Sequence, residues 1–148
     1  MVIGLFGESC TGKSSVAELL KKQLGAQFYS GKDYLRLVKN PPDAERSFAE
    51  LLREHVDSDD CIIYVLSEKD QLAMLPEGAF KVLFIADIET IKQRFAQRMH
   101  GVLPAPAAQM LERKHGAFDS EPCDMHVTST GVSAEEICES ILVRLAGM

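Results

Sequence analysis

The chain has 148 residues, of which 46 % are hydrophobic and 26 % charged, with a formal net charge of −6. That length suits one domain, spanning 1–148, with a single buried core. The acidic balance argues against a nucleic-acid binder, which needs basic residues in excess on one face, and no stretch reaches the roughly 20 apolar residues of a membrane span.

The chain opens on Val2-Ile3-Gly4-Leu5-Phe6, an unbroken apolar run that reads as a buried parallel strand. It lacks a basic leader and is not a signal peptide. Gly7-Glu8-Ser9-Cys10-Thr11-Gly12-Lys13-Ser14 follows and fits G-x-x-x-x-G-K-[ST]. A helix then starts near Lys13 and runs to Leu24, with Val16, Leu19, Leu20 and Leu24 at helical spacing. Strand, glycine-rich turn and helix together form a phosphate-binding loop. Gly7 and Gly12 clear side chains from the path of the backbone N–H groups, and the helix start adds its positive dipole end. Lys13 is expected to reach the β- and γ-phosphates, Ser14 to coordinate Mg²⁺, and Glu8, Ser9, Cys10, Thr11 and Ser15 to complete the cradle.

Ala26–Tyr29 reads as a second strand, and Ser30–Lys39 as a short helix with Ser30 as its cap, ended by Asn40-Pro41-Pro42. Asp43–Val56 carries Phe48, Leu51, Leu52 and Val56 on one helical side. Cys61–Leu66 is a third strand, Ser67–Leu75 a short helix, and Phe80–Ala86 a fourth strand. Asp87 caps a helix over Ile88–Met99, His100–Pro106 breaks it, and Ala107–His115 resumes it. Met125–Thr128 is a fifth strand, and Ser133 caps a last helix, Ala134–Leu145. The alternation implies a three-layer α/β domain with a five-stranded, mainly parallel sheet. Ligands of such sheets sit at the carboxyl ends of the strands, where Asp33, Glu68 and Asp87 lie. Cys10, Cys61, Cys123 and Cys138 show neither C-x-x-C nor zinc spacing, so four free thiols in a reducing cytoplasm are expected. The four histidines make no site by spacing, although His100 and His115 bracket the segment before the fifth strand.

The phosphate loop, followed by a strand ending in Ser30-Gly31-Lys32-Asp33-x-x-Arg36, resembles the small P-loop kinases. These are the adenylate- and cytidylate-type nucleoside monophosphate kinases and their shikimate, gluconate and adenylylsulfate kinase relatives. The resemblance implies ATP and Mg²⁺ as cofactors and a small-molecule acceptor, with a nucleoside monophosphate first and a hydroxyl metabolite such as shikimate or gluconate second. It implies an acceptor segment at about 30–56, where Asp33 takes the acceptor proton or holds Mg²⁺ through water and Arg36 clamps the acceptor. A lid at about 99–118 would be flanked by Arg94, Arg98, Arg113 and Lys114, of which Arg98 and Arg113 would stabilise the transferring group. Thr130 and Gly131 would border the donor base. Two departures stand out. The third strand lacks the usual terminal Asp, with Glu68 the nearest carboxylate, and the lid lacks a double arginine. A nucleotide binder of the same fold without kinase activity is therefore the alternative. A GTPase switch is disfavoured, because no N-K-x-D motif is present.

Overall fold

The computed structural model describes all residues, 1–148. Its centre is β1 (Val2–Gly7), six residues that are all buried because strands pair with it on both sides. The strands β2 (Gln27–Ser30), β3 (Ile62–Leu66), β4 (Phe80–Ile85) and β5 (Met125–Thr128) complete an all-parallel sheet in the order β2-β3-β1-β4-β5. Helices α1 (Lys13–Leu24), α2 (Pro41–His55), α3 (Ile88–Arg98), α4 (Ala105–Lys114) and α5 (Ala134–Ala146) follow strands or one another, as parallel connections require. The three-layer α/β architecture is the one expected from the alternation of elements.

Alternate side chains of the strands enter opposite cores. On one face Ile3, Leu5, Ile63 and Val82 pack with Val16 and Leu20 of α1 and with Ile137 and Ile141 of α5. On the other face Val2, Phe6, Ile62, Tyr64 and Leu66 pack against Ala44, Phe48 and Leu52 of α2. Phe48 is the hub of that second core, with ring centroids 4.8 Å from Tyr64, 5.0 Å from Tyr29 and 5.4 Å from Tyr34. A third, small cluster of Cys10, Ala86, Ile91 and Leu111 ties α3 and α4 to the phosphate loop.

The departures at the helix starts share one cause. Pro41 and Pro42, read as terminators, occupy the first turn of α2, and Pro106 lies within the first turn of α4, which starts at Ala105 and not Ala107. A first-turn N–H has no intrahelical acceptor, so proline costs nothing there and its fixed φ suits the helix. The helix expected over Ser30–Lys39 shrinks to a 3₁₀ turn, Asp33–Arg36, which Ser30 does not cap. Instead the Ser30 N–H donates to Asp33 Oδ2 at 2.9 Å, so the cap relation runs the other way. Ser67–Leu75 is likewise a 3₁₀ segment, Lys69–Met74. The Asp87 and Ser133 caps form as expected, accepting from the N–H groups of Thr90 and Glu136.

Because Phe48 is fully buried among three tyrosines, Phe48→Ala is expected to lower unfolding stability by about 3–5 kcal/mol. Denaturant titration followed by far-ultraviolet circular dichroism checks this, and a loss below 1 kcal/mol would mean that the aromatic hub is not a principal support of the fold.

Candidate functional site

At the carboxyl end of β1 the chain turns through residues 8–12 before α1 begins at Lys13. Gly7 has φ +147°, and a Cβ there would lie 2.4 Å from the Phe84 carbonyl oxygen, so no side chain fits between β1 and β4. Gly12, at φ +92°, leads the chain into the helix. Cys10 is a non-glycine residue at φ +65°, and its burial against Ala86, Ile91 and Leu111 holds that conformation in place.

Lys13 is 4 % exposed. Its Nζ donates to Glu8 O at 2.5 Å, Gly7 O at 2.8 Å and Thr11 Oγ1 at 3.3 Å, so the ammonium spans the loop it belongs to. Burial lowers its pKa to about 7, with Arg98 adding to that fall while Cys10 and Glu8 oppose it. Ser14 and Ser15 are exposed at the first turn of α1. The Ser14 hydroxyl suits a hard cation, but the chain gathers no group of three His, Cys, Asp or Glu side chains. A magnesium ion would enter this place with the phosphates of a nucleotide, and the Ser14 hydroxyl is the side chain that would meet it.

Two cavities flank the loop. The first, about 440 Å³, is lined by Gly12, Ser15, Val16, Arg94, Gln97, Arg98, Ser129, Val132, Ala134 and Ile137. Arg94 is fixed in its wall, donating through Nη1 to Cys10 O and Ser129 Oγ at 3.0 and 2.9 Å and through Nη2 to Ser129 O at 2.9 Å. Arg98, one turn further, is exposed. The second cavity, about 300 Å³, lies between the loop, the end of β3 and α4, with Glu8, Ser9, Glu68 and Phe118 in its wall. Here the Glu8 carboxylate accepts from the Gly116 N–H at 3.2 Å and lies 3.0 Å from His115 Nδ1, which joins the expected lid segment to the phosphate loop.

The remaining candidates stand apart. Asp33 and Arg36 pair with each other at 3.3 Å, and neither lines a cavity beside the loop. Arg113 is exposed on α4. The Thr130 hydroxyl accepts from the Asp87 N–H at 2.9 Å, and Gly131 is exposed, so Ser129 and Val132 wall the first cavity in their place. Ser129 belongs to no motif, and its only sequence signal is its position just after β5.

The Lys13 ammonium is the form that attracts phosphate, and phosphate contact raises its pKa from about 7. Affinity for a non-hydrolysable ATP analogue is thus expected to be full below pH 7. Above pH 7 it falls by up to about tenfold per pH unit, with uptake of up to about one proton on binding at pH 8.5. Calorimetry in buffers of different ionisation enthalpy checks this, and equal uptake by Lys13→Met would assign the proton elsewhere.

No protein-family model and no curated protein sequence matches the chain. Solved structures do, over nearly their whole lengths. A protein from Eubacterium ventriosum matches with a TM-score of 0.72 at 17 % identity, covering 100 % of this chain and 99 % of the other. A sugar kinase from a Janibacter species matches with a TM-score of 0.68 at 18 % identity, covering 98 % and 94 %. The shikimate kinase of Acinetobacter baumannii, solved with shikimate, matches with a TM-score of 0.66 at 16 % identity, covering 99 % and 93 %. At these identities the likeness is one of fold, and the fold is the P-loop NTPase fold in the arrangement that shikimate kinase-like proteins carry.

Proposed function

We propose that the protein is a cytoplasmic P-loop kinase that transfers the γ-phosphoryl group of ATP, with Mg²⁺, to a hydroxyl of a small molecule. The observation that carries this reading is the pair of cavities on opposite sides of one phosphate loop. A protein that only binds or hydrolyses a nucleotide needs one such space, whereas a transferase needs two meeting at the same phosphate. The neighbours named for sugar and shikimate kinase activity are consistent with it. A nucleoside monophosphate acceptor, the first expectation from the sequence, gains no support from those names.

In this reading the donor occupies the first cavity, its base against Val132 and Ile137 and its phosphates along the Gly12–Ser15 turn. Lys13 leaves its carbonyl acceptors for the β- and γ-phosphates, Ser14 holds the magnesium of the nucleotide complex, and Arg98 swings onto the transferring group. The acceptor oxygen bonds to the γ-phosphorus and the bond to the β–γ bridging oxygen breaks. ADP leaves with that electron pair. The hydroxyl proton passes to a carboxylate at the strand ends, for which Asp33, turned out of its pair with Arg36, is the nominee. Little covalent chemistry falls to the protein, and positioning and charge neutralisation supply the rate.

The test is acceptor-stimulated ADP release across nucleosides, nucleoside monophosphates, shikimate, gluconate and adenylylsulfate. Lys13→Ala is expected to lower kcat by at least about 100-fold, and Asp33→Asn to lower it while leaving ATP affinity unchanged. Tight ATP binding with no stimulated turnover by any acceptor would replace the kinase with a nucleotide binder of the same fold.

A further inference from the structure

The second cavity has an unusual charge make-up for a site that takes acidic metabolites. Its wall contains two carboxylates, Glu8 and Glu68, and two ammonium groups, Lys69 and Lys114, but no arginine. Both lysines are already partnered, Lys114 with Glu68 at 3.5 Å and Lys69 with Glu121 at 3.3 Å. Glu8, with a side chain only 10 % exposed, uses its oxygens on His115 and the Gly116 N–H and presents its charge to the same space. Within the wall two carboxylates face two ammonium groups, and neither lysine is left without a carboxylate partner. The remaining lining is apolar, from Met110, Leu111, Ala117 and Phe118, of which Leu111 and Phe118 are buried.

An anionic acceptor entering this cavity would meet no free guanidinium, would compete with carboxylates for both lysines, and would bring like charge to the nearly buried Glu8. The cation-rich side of the loop is the other one, where Arg94 and Arg98 face the first cavity. We infer that the acceptor of the proposed kinase, whose hydroxyl attacks the γ-phosphorus as above, is an alcohol without an anionic group and with an apolar body that lies against Phe118 and Leu111. This rests on the kinase reading of the same site. It separates the protein's substrate from hydroxy acids and from phosphorylated acceptors.

Acceptors that keep the same reacting hydroxyl test it: methyl shikimate against shikimate, and phenylethanediol against mandelate, with phenylglycinol as the amine-bearing counterpart. Acceptor-stimulated ADP release and direct binding by saturation-transfer NMR are both measured on the full chain. The uncharged or amine-bearing member of each pair is expected to exceed its anionic partner at least about tenfold in kcat/KM. Glu68→Gln, which frees Lys114 at an exposed position, is expected to narrow that ratio by about fivefold without altering affinity for an ATP analogue. Shikimate or mandelate turning over faster than its partner would overturn the inference and keep the kinase. Binding of the uncharged compounds without ADP release would overturn the kinase and keep the chemical class of the ligand. Failure of every uncharged compound to bind or turn over would overturn the class.

Discussion

The arrangement turns on the Lys13 ammonium, which is nearly buried and held by the carbonyl oxygens of Gly7 and Glu8. Those carbonyls converge only because β1 ends at a glycine too close to Phe84 for any side chain, and because the helix begins within six residues of that end. The ammonium thus closes the loop on itself while no anion is present. A phosphate offers stronger, charge-assisted acceptors at the same place. Removal of the lysine from water lowers its pKa, and an anion bound there would raise it again.

Around that centre the protein is asymmetric. On one side Arg94 is pinned to Ser129 and to the Cys10 carbonyl, so the loop after β5, helix α3 and the phosphate loop form one rigid wall. On the other side Glu8 reaches to the start of the segment after α4, and Leu111 packs on Cys10. The segment expected to be a lid is therefore in contact with the phosphate loop through both an apolar patch and a carboxylate. Such contacts give its movement a definite cost, because opening would uncover Cys10 and strip Glu8 of its N–H donor. Positive charge gathers on the first side and compensated charge on the second.

Misreadings of the sequence came from residues whose meaning depends on position within an element. Proline signals a break only when an N–H is needed, and Pro41, Pro42 and Pro106 sit where none is. Asp33 stands differently: it follows a strand, where a ligand-facing carboxylate is expected, and its two oxygens are engaged by Arg36 and by the Ser30 N–H, groups within three residues of it. Local partners of this kind compete with a distant ligand, and no spacing rule reports which prevails.

The sequence by itself determined the strand–loop–helix unit at Val2–Leu24, the alternation that demands a parallel three-layer domain, and the caps at Asp87 and Ser133. Each follows from interactions among residues close in the chain, where backbone geometry leaves few options. Tertiary structure alone decided that Ser129 anchors Arg94, that Glu8 meets His115 across 107 positions, and that Glu68, Lys114 and Phe118 share a cavity with the phosphate loop. These depend on the order in which strands enter the sheet and on how α3 and α4 lie over its carboxyl edge, and such long-range placement leaves no periodic trace in the sequence.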